Sequence, residues 1–179
     1  HLGELEESRK KYTTLNATAE KLFESKIYQA AAKARRCLVL STGFYEWRHY
    51  QGAADKKSVA YPYLINSANK EEPLFYMAGI WQPWTDKLSG EMIHSFAIIT
   101  TQANGLMQKI HNTKKRMPTI LPIELAEEWI GPLSENRIKK LAAYQLPDTA
   151  LTAHTIAKDF NRGIEHPQAL VEYNALPPL

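Results

Sequence analysis

Cysteine is almost absent: Cys37 is the single one in 179 residues. That excludes an internal disulfide and any cysteine-rich zinc site, and it makes a reducing, cytoplasmic setting the expectation, nucleoid-associated if the source is bacterial. No apolar run approaches the roughly 18 residues that a membrane helix needs, so no membrane partner is expected. Internal repeats, a Gly-rich phosphate loop and a Ser-centred nucleophile elbow are also missing. The six histidines, His1, His49, His94, His111, His154 and His166, never pair at the i, i+4 spacing of a zinc helix, so neither metal nor cofactor is expected. Charge of one sign does not dominate either. With 22 Lys and Arg against 19 Asp and Glu, the net charge of +3 permits a nucleic-acid partner without requiring one. The first residue is His1 and not Met, so a missing N-terminal segment is expected.

What is present suffices for a core. With 44% hydrophobic residues, a single domain over 1–179 is expected. The most distinctive run, Arg35 to Trp47, reads as β-structure that ends by setting one carboxylate, Glu46, between Tyr45 and Trp47. Strand side chains alternate, so Tyr45 and Trp47 share one face while Phe44 and Glu46 share the other. A polar turn over residues 49–57 followed by the run Tyr61 to Ile65 predicts a hairpin with a long loop, with Pro62 at a strand start or edge. The runs from Leu74 to Trp81 and from Ile93 to Thr101 add strands around a turn spanning residues 83–91. Connections this short predict antiparallel pairing or a partly closed barrel.

Helices are expected in five places. Residues 2–12 are acidic early and basic late, the order a helix dipole favours. Residues 25–34 carry Ile27, Ala30, Ala31 and Ala34 at helical spacing. Residues 106–110, 122–130 with a Gly131-Pro132 stop, and 134–143 complete the set, before a last strand over 151–156 and an irregular tail. The class is therefore α+β, an antiparallel, partly closed, barrel-like sheet with flanking helices.

Polar chemistry concentrates at few points. Glu46 ends an apolar run, where a carboxylate either points into water or is held for a reaction. His111 ends a short helix beside Lys114, Lys115 and Arg116, as a hydrogen-bonded structural residue or as an acid–base group. Asn16 is an isolated polar residue. Cys37 sits among Leu38, Val39 and Leu40, surroundings that raise a thiol's pKa and suit a core role better than nucleophilic attack.

Taken in order, Arg-Arg-Cys-Leu-Val from Arg35, Gly-Phe-Tyr-Glu-Trp from Gly43, Ile98-Ile99-Thr100-Thr101 with Ala103-Asn104, Ile110-His111, and Arg116-Met117-Pro118 before Ile120-Leu121 closely resemble the SRAP family. These are the abasic-site processing proteins also called SOS-response-associated peptidases. Leu15-Asn16-Ala17-Thr18-Ala19-Glu20 resembles the family's Asn-Ala-Arg-x-Glu-Thr segment, and Ala78-Gly79-Ile80-Trp81 with Trp84 its Ala-Gly-Leu-Trp stretch. The resemblance covers nearly the whole chain.

It implies capture of abasic sites in single-stranded DNA as a covalent crosslink, with autoproteolytic processing of the N-terminus. The nucleophile is an N-terminal cysteine: its α-amine condenses with the sugar aldehyde and its thiol closes a thiazolidine. The resemblance implies that Asn16, Glu46 and His111 are the other active-site residues; the candidate DNA contacts are Lys26, at another basic position of the family, and Arg116, with Lys114 and Lys115 either adding phosphate contacts or forming a solvated loop, and Trp47 and Trp81 as stacking surfaces or core residues. The family's N-terminal Cys-Gly-Arg segment is not in this sequence, Thr18 replaces a usual phosphate-binding Arg, and four residues, Asn112 to Lys115, stand where many relatives have one. Two other readings remain open, a non-catalytic single-stranded-DNA-binding module of the same fold and a peptidase built on Cys37 and His111.

Overall fold

The run that carries Glu46 is two strands, not one. In the computed structural model, which describes residues 15–53, 56–163 and 165–179, β2 (Arg36–Ser41) and β3 (Gly43–Tyr50) belong to different sheets. The Ser41 hydroxyl donates to the Gly43 carbonyl at 2.5 Å, folding the chain over Thr42. Gly43 is required there: a Cβ would lie 2.7 Å from both Asn66 Nδ2 and the Ile65 carbonyl oxygen. The helix expected over residues 2–12 lies outside the described residues.

Two compact units result. The first takes in residues up to Leu40, Tyr76–Thr101 and Pro118–Tyr144, the second Ser41–Phe75, Gln102–Met117 and Gln145–Leu179. The α+β class expected from the sequence is the one observed.

The sheet of the first unit runs in the order β1 (Asn16–Thr18), β6 (Met92–Gln102), β5 (Phe75–Thr85), β2, with β8 (Ile120–Leu121) beside β5, and β7 (Arg116–Pro118) is the strand along which the chain passes out of the second unit. Alternation assigns its faces. Ala17, Ala78, Ile80, Ala97 and Ile99 turn to the core, against Trp129, Ile138 and Leu141. Trp129 is completely buried because its indole N–H donates to the Cys37 carbonyl at 3.0 Å. Three expectations are corrected here. β1 pairs with β6 in parallel, Asn16 opposite Ile98, so the sheet is mixed; the long intervening chain supplies the crossover that a parallel neighbour needs. β5 continues through Pro83 to Thr85, which shortens the turn to residues 86–91, closed by the Asp86 N–H on the Glu91 carbonyl and by Gly90 at φ 73°. The helix expected over residues 25–34 is restricted to α1 (Gln29–Ala34), because Ile27 is exposed and Ser25 turns the preceding residues. Helices α3 (Ile123–Ile130) and α4 (Glu135–Ala142), the latter capped by Ser134, fall where expected.

The second unit is built on an antiparallel sheet ordered β3, β4 (Val59–Ser67), β9 (Leu151–Thr155). The expected hairpin is present, with Tyr50 opposite Val59 and Glu46 opposite Tyr63. Pro62 is at neither the start nor an edge: it is inside β4, the middle strand. Its carbonyl accepts from the Ile156 N–H, so its donorless nitrogen faces the side on which β9 has already ended at Thr155. Facing rings report the predicted alternation along β3: Phe44 meets Phe75, whereas Tyr45 and Trp47 both meet Phe160. Helix α2 (Gly105–Ile110) begins at Asn104, whose side chain accepts from the Met107 N–H at 2.9 Å. Among the described residues no helix is long and apolar enough to cross a membrane.

Candidate functional site

Glu46 and His111 meet inside the second unit. Strand alternation turns Glu46 to the face of β3 it shares with Phe44, and α2 delivers His111 as the residue that ends it. His111 Nδ1 stands 3.3 Å from Glu46 Oε2, and the two side chains retain only 17% and 20% of their exposure. The same Nδ1 lies 2.9 Å from the Arg116 carbonyl oxygen. A carbonyl can only accept, and an ionised carboxylate can only accept, so both partners require a proton on Nδ1. In the neutral ring the tautomer inferred from these partners puts the lone pair on Nε2, and among the described residues nothing is bonded to that atom. The site therefore offers an imidazole base at Nε2 with a carboxylate behind the ring to stabilise the imidazolium once Nε2 takes a proton.

Asn16 belongs to the first unit. It is exposed on β1, opposite Ile98, and its carbonyl accepts from the Tyr28 hydroxyl at 3.3 Å. Register places it on the sheet face away from the core, the face that also carries Trp81 opposite Phe96. Along that face Cys37, Trp81, His94 and Phe96 line an open hollow of about 590 Å³.

A match to the family model described as SOS response associated peptidase (SRAP) covers residues 4–163. The chain belongs to the SRAP family. It is 33% identical over 121 residues to the abasic site processing protein YoqW of Bacillus subtilis, covering 68% of this chain and 49% of that protein. It is 32% identical over 184 residues to the abasic site processing protein HMCES of Rattus norvegicus, covering 88% and 49%. The crystal structure of a protein from Bacteroides thetaiotaomicron superposes with a TM-score of 0.77 at 40% identity, over 88% of this chain and 63% of that one. The chain thus spans about half the length of the curated relatives it matches.

The basic residues of this SRAP chain lie apart. Lys26 is exposed in the turn that precedes α1, in the first unit. In the second unit Lys114 and Lys115 are exposed in the loop that follows His111, Lys115 in the left-handed region at φ 52°, and half-buried Arg116 opens β7. Trp47 is 41% exposed on the face of β3 opposite Glu46, with its ring 6.2 Å from that of Phe160, so it is not a core residue. Trp81 is half-buried and packs edge-on against His94.

One residue of the site escaped sequence reading. Asn112, inside the inserted loop, accepts from the His49 N–H at 3.1 Å and donates to the His49 carbonyl at 2.7 Å. No local pattern announces it, since its partner is 63 positions away.

Burial pushes the Cys37 thiol above its ordinary range, because desolvation disfavours the thiolate. At neutral pH Cys37 is therefore expected to react with iodoacetamide more slowly than free cysteine, and to speed up as the pH is raised further. Mass spectrometry of the native protein over a pH series checks this; alkylation at the free-cysteine rate at pH 7 would show an activated thiol.

Proposed function

We propose that this protein captures abasic sites in single-stranded DNA as a covalent thiazolidine, with His111, Glu46 and Asn16 serving the reaction. The observation that carries the reading is the Glu46–His111 contact at 3.3 Å in a chain of the SRAP family. Opening the abasic sugar removes a proton from the anomeric hydroxyl and returns one to the ring oxygen. Condensation of an α-amine with the resulting aldehyde forms a carbinolamine, which expels water after its hydroxyl is protonated. A thiol then adds across the imine, its proton passing to nitrogen. Each step needs a proton carried over a short distance, which suits an imidazole backed by a carboxylate. Asn16 supplies an amide that donates and accepts without titrating, suited to orienting the amine or the sugar. The nucleophile this reading requires is an N-terminal cysteine, and residue 1 of these 179 is histidine.

The test is direct. The full natural chain is incubated with a single-stranded oligonucleotide carrying one abasic site and resolved under denaturing conditions. A heat-stable, slower band with the abasic strand and none with the intact strand supports the proposal. Binding of both strands with no covalent species overturns it in favour of a non-catalytic module.

The loop after His111 bears on affinity. Each phosphate contact on a single strand contributes about 0.7 to the slope of log affinity against log salt. Lys114→Ala with Lys115→Ala is expected to reduce that slope by about 1.4 in a fluorescence titration with unmodified oligonucleotide. An unchanged slope would assign both lysines to a solvated loop.

A further inference from the structure

We propose that Asn112 is a positioning residue for the Glu46–His111 pair, a clip that fixes the imidazole against the carboxylate by tying its loop to β3. The inference rests on the function proposed for that pair, although its first test does not depend on it.

His111 is tied to α2 by its N–H, which donates to the Met107 carbonyl at 2.7 Å, but at φ −83° and ψ 54° it leaves helical geometry, so the path of the chain beyond it is set by the loop. The contacts that close the following loop are internal to it or reach back toward the start of α2. The Lys115 N–H donates to the His111 carbonyl at 2.8 Å, the Lys115 carbonyl accepts from the Ala103 N–H at 2.9 Å, and the Arg116 carbonyl takes Nδ1. None of them reaches the strand that carries Glu46. Asn112 does, through both backbone groups of His49. One amide side chain satisfying the N–H and C=O of a single residue acts as a further rung of the ladder, on the edge of β3 that β4 leaves open.

The placement matters for chemistry because both ends of the clip are close to the pair. Asn112 is bonded to His111, so their Cα atoms are about 3.8 Å apart. His49 is three residues from Glu46 along a strand, about 10 Å, with a spacing that the ladder to β4 keeps constant. The direct Nδ1–Oε2 contact is longer than a strong charge-assisted hydrogen bond and is partly wet, so by itself it fixes the ring weakly. With the clip in place the loop has one position on β3, and Nδ1 keeps its bond to the Arg116 carbonyl and its contact with Glu46.

The experiment reads His111 before it reads activity. Long-range proton–nitrogen correlation spectra of the nitrogen-15-labelled protein, taken with the ring in its neutral form, should show one protonated Nδ1 and one unprotonated Nε2. In Asn112→Ala the two nitrogen shifts are expected to converge as the ring averages between tautomers. Asn112→Asp should behave like Asn112→Ala, because it sets a carboxylate oxygen against the His49 carbonyl; a wild-type spectrum from Asp would overturn the two-bond clip. Unchanged His111 nitrogens in Asn112→Ala would overturn the proposal outright. In single-turnover capture of an abasic oligonucleotide, Asn112→Ala should lower the rate at saturating DNA by roughly tenfold or more while half-saturation stays unchanged. A rate equal to wild type also overturns it. If wild-type protein captures nothing, the proposed function fails, and the spectra still decide whether Asn112 sets the ring.

Discussion

Replacing His111 by alanine, or Glu46 by glutamine, is expected to slow capture of an abasic oligonucleotide by roughly 10²–10⁴-fold, the range over which a positioned proton carrier contributes. Glu46→Gln is the sharper of the two, because it preserves shape and removes only the charge that faces the protonated ring. With Nδ1 already donating to the Arg116 carbonyl, the glutamine can still accept through its oxygen, but it no longer stabilises the imidazolium. If the two residues act as one unit, the double variant Glu46→Gln with His111→Ala should be no slower than His111→Ala alone, since removing the ring leaves the carboxylate nothing to support. Multiplicative losses would mean two independent proton carriers. Neither side chain belongs to the buried cores, so thermal unfolding should move little. Capture rates within a factor of about two of wild type, in both single variants, would remove the pair from the reaction.

The residues that meet at this pair were legible because their signals are local. A strand with period-two alternation put Glu46 on the face of Phe44, and the facing rings of Phe75 and Phe160 report the same division. His111 stood out by ending a short helix whose cap, Asn104, is itself a recognisable start signal. That the two side chains touch was not legible, because it depends on the loop path from His111 to Arg116. The break at Thr42 was missed for a related reason: what demands it is the approach of Asn66 to Gly43, 23 positions away. β1 has three residues and takes its definition from Ile98, whose N–H donates to the Leu15 carbonyl at 3.1 Å, and not from any periodicity of its own. The Ala-rich stretch before Ala34 shows the converse, where propensity favoured a longer helix than packing rewards, since Ile27 finds no core to enter.

Arg36 is expected to be the most costly single charge to remove from the first unit. Beside Arg35 in the sequence it reads as surface, yet its guanidinium is half-buried over the Trp129 ring and serves four carbonyls. Nε donates to Trp129 at 2.8 Å, Nη1 to Ala32 and Lys33 at 2.8 Å each, and Nη2 to Gly131 at 2.5 Å. Three of those acceptors, Ala32, Lys33 and Trp129, are among the last carbonyls of α1 and α3, groups with no partner inside their own helices, and the fourth belongs to Gly131, the residue that caps α3, with the negative ends of two dipoles behind them. Burial pushes the Arg36 guanidinium pKa down, without bringing it near neutral pH. Arg36→Ala leaves the four acceptors to compete for water at a partly closed site, and should destabilise by about 3–4 kcal/mol. For a chain of this length that corresponds to a fall in Tm of roughly 6–16 °C by calorimetry. Arg35→Ala is the control: that side chain donates once, from Nε to the Trp81 carbonyl at 3.2 Å, and its loss should cost about 1 kcal/mol. Arg36→Lys separates the two sources of the effect, because lysine restores the positive charge at both helix ends but cannot present a planar fork to carbonyls on opposite sides. Melting of Arg36→Lys close to that of Arg36→Ala would assign the stabilisation to the fork, whereas melting close to wild type would assign it to charge alone and overturn the four-carbonyl account.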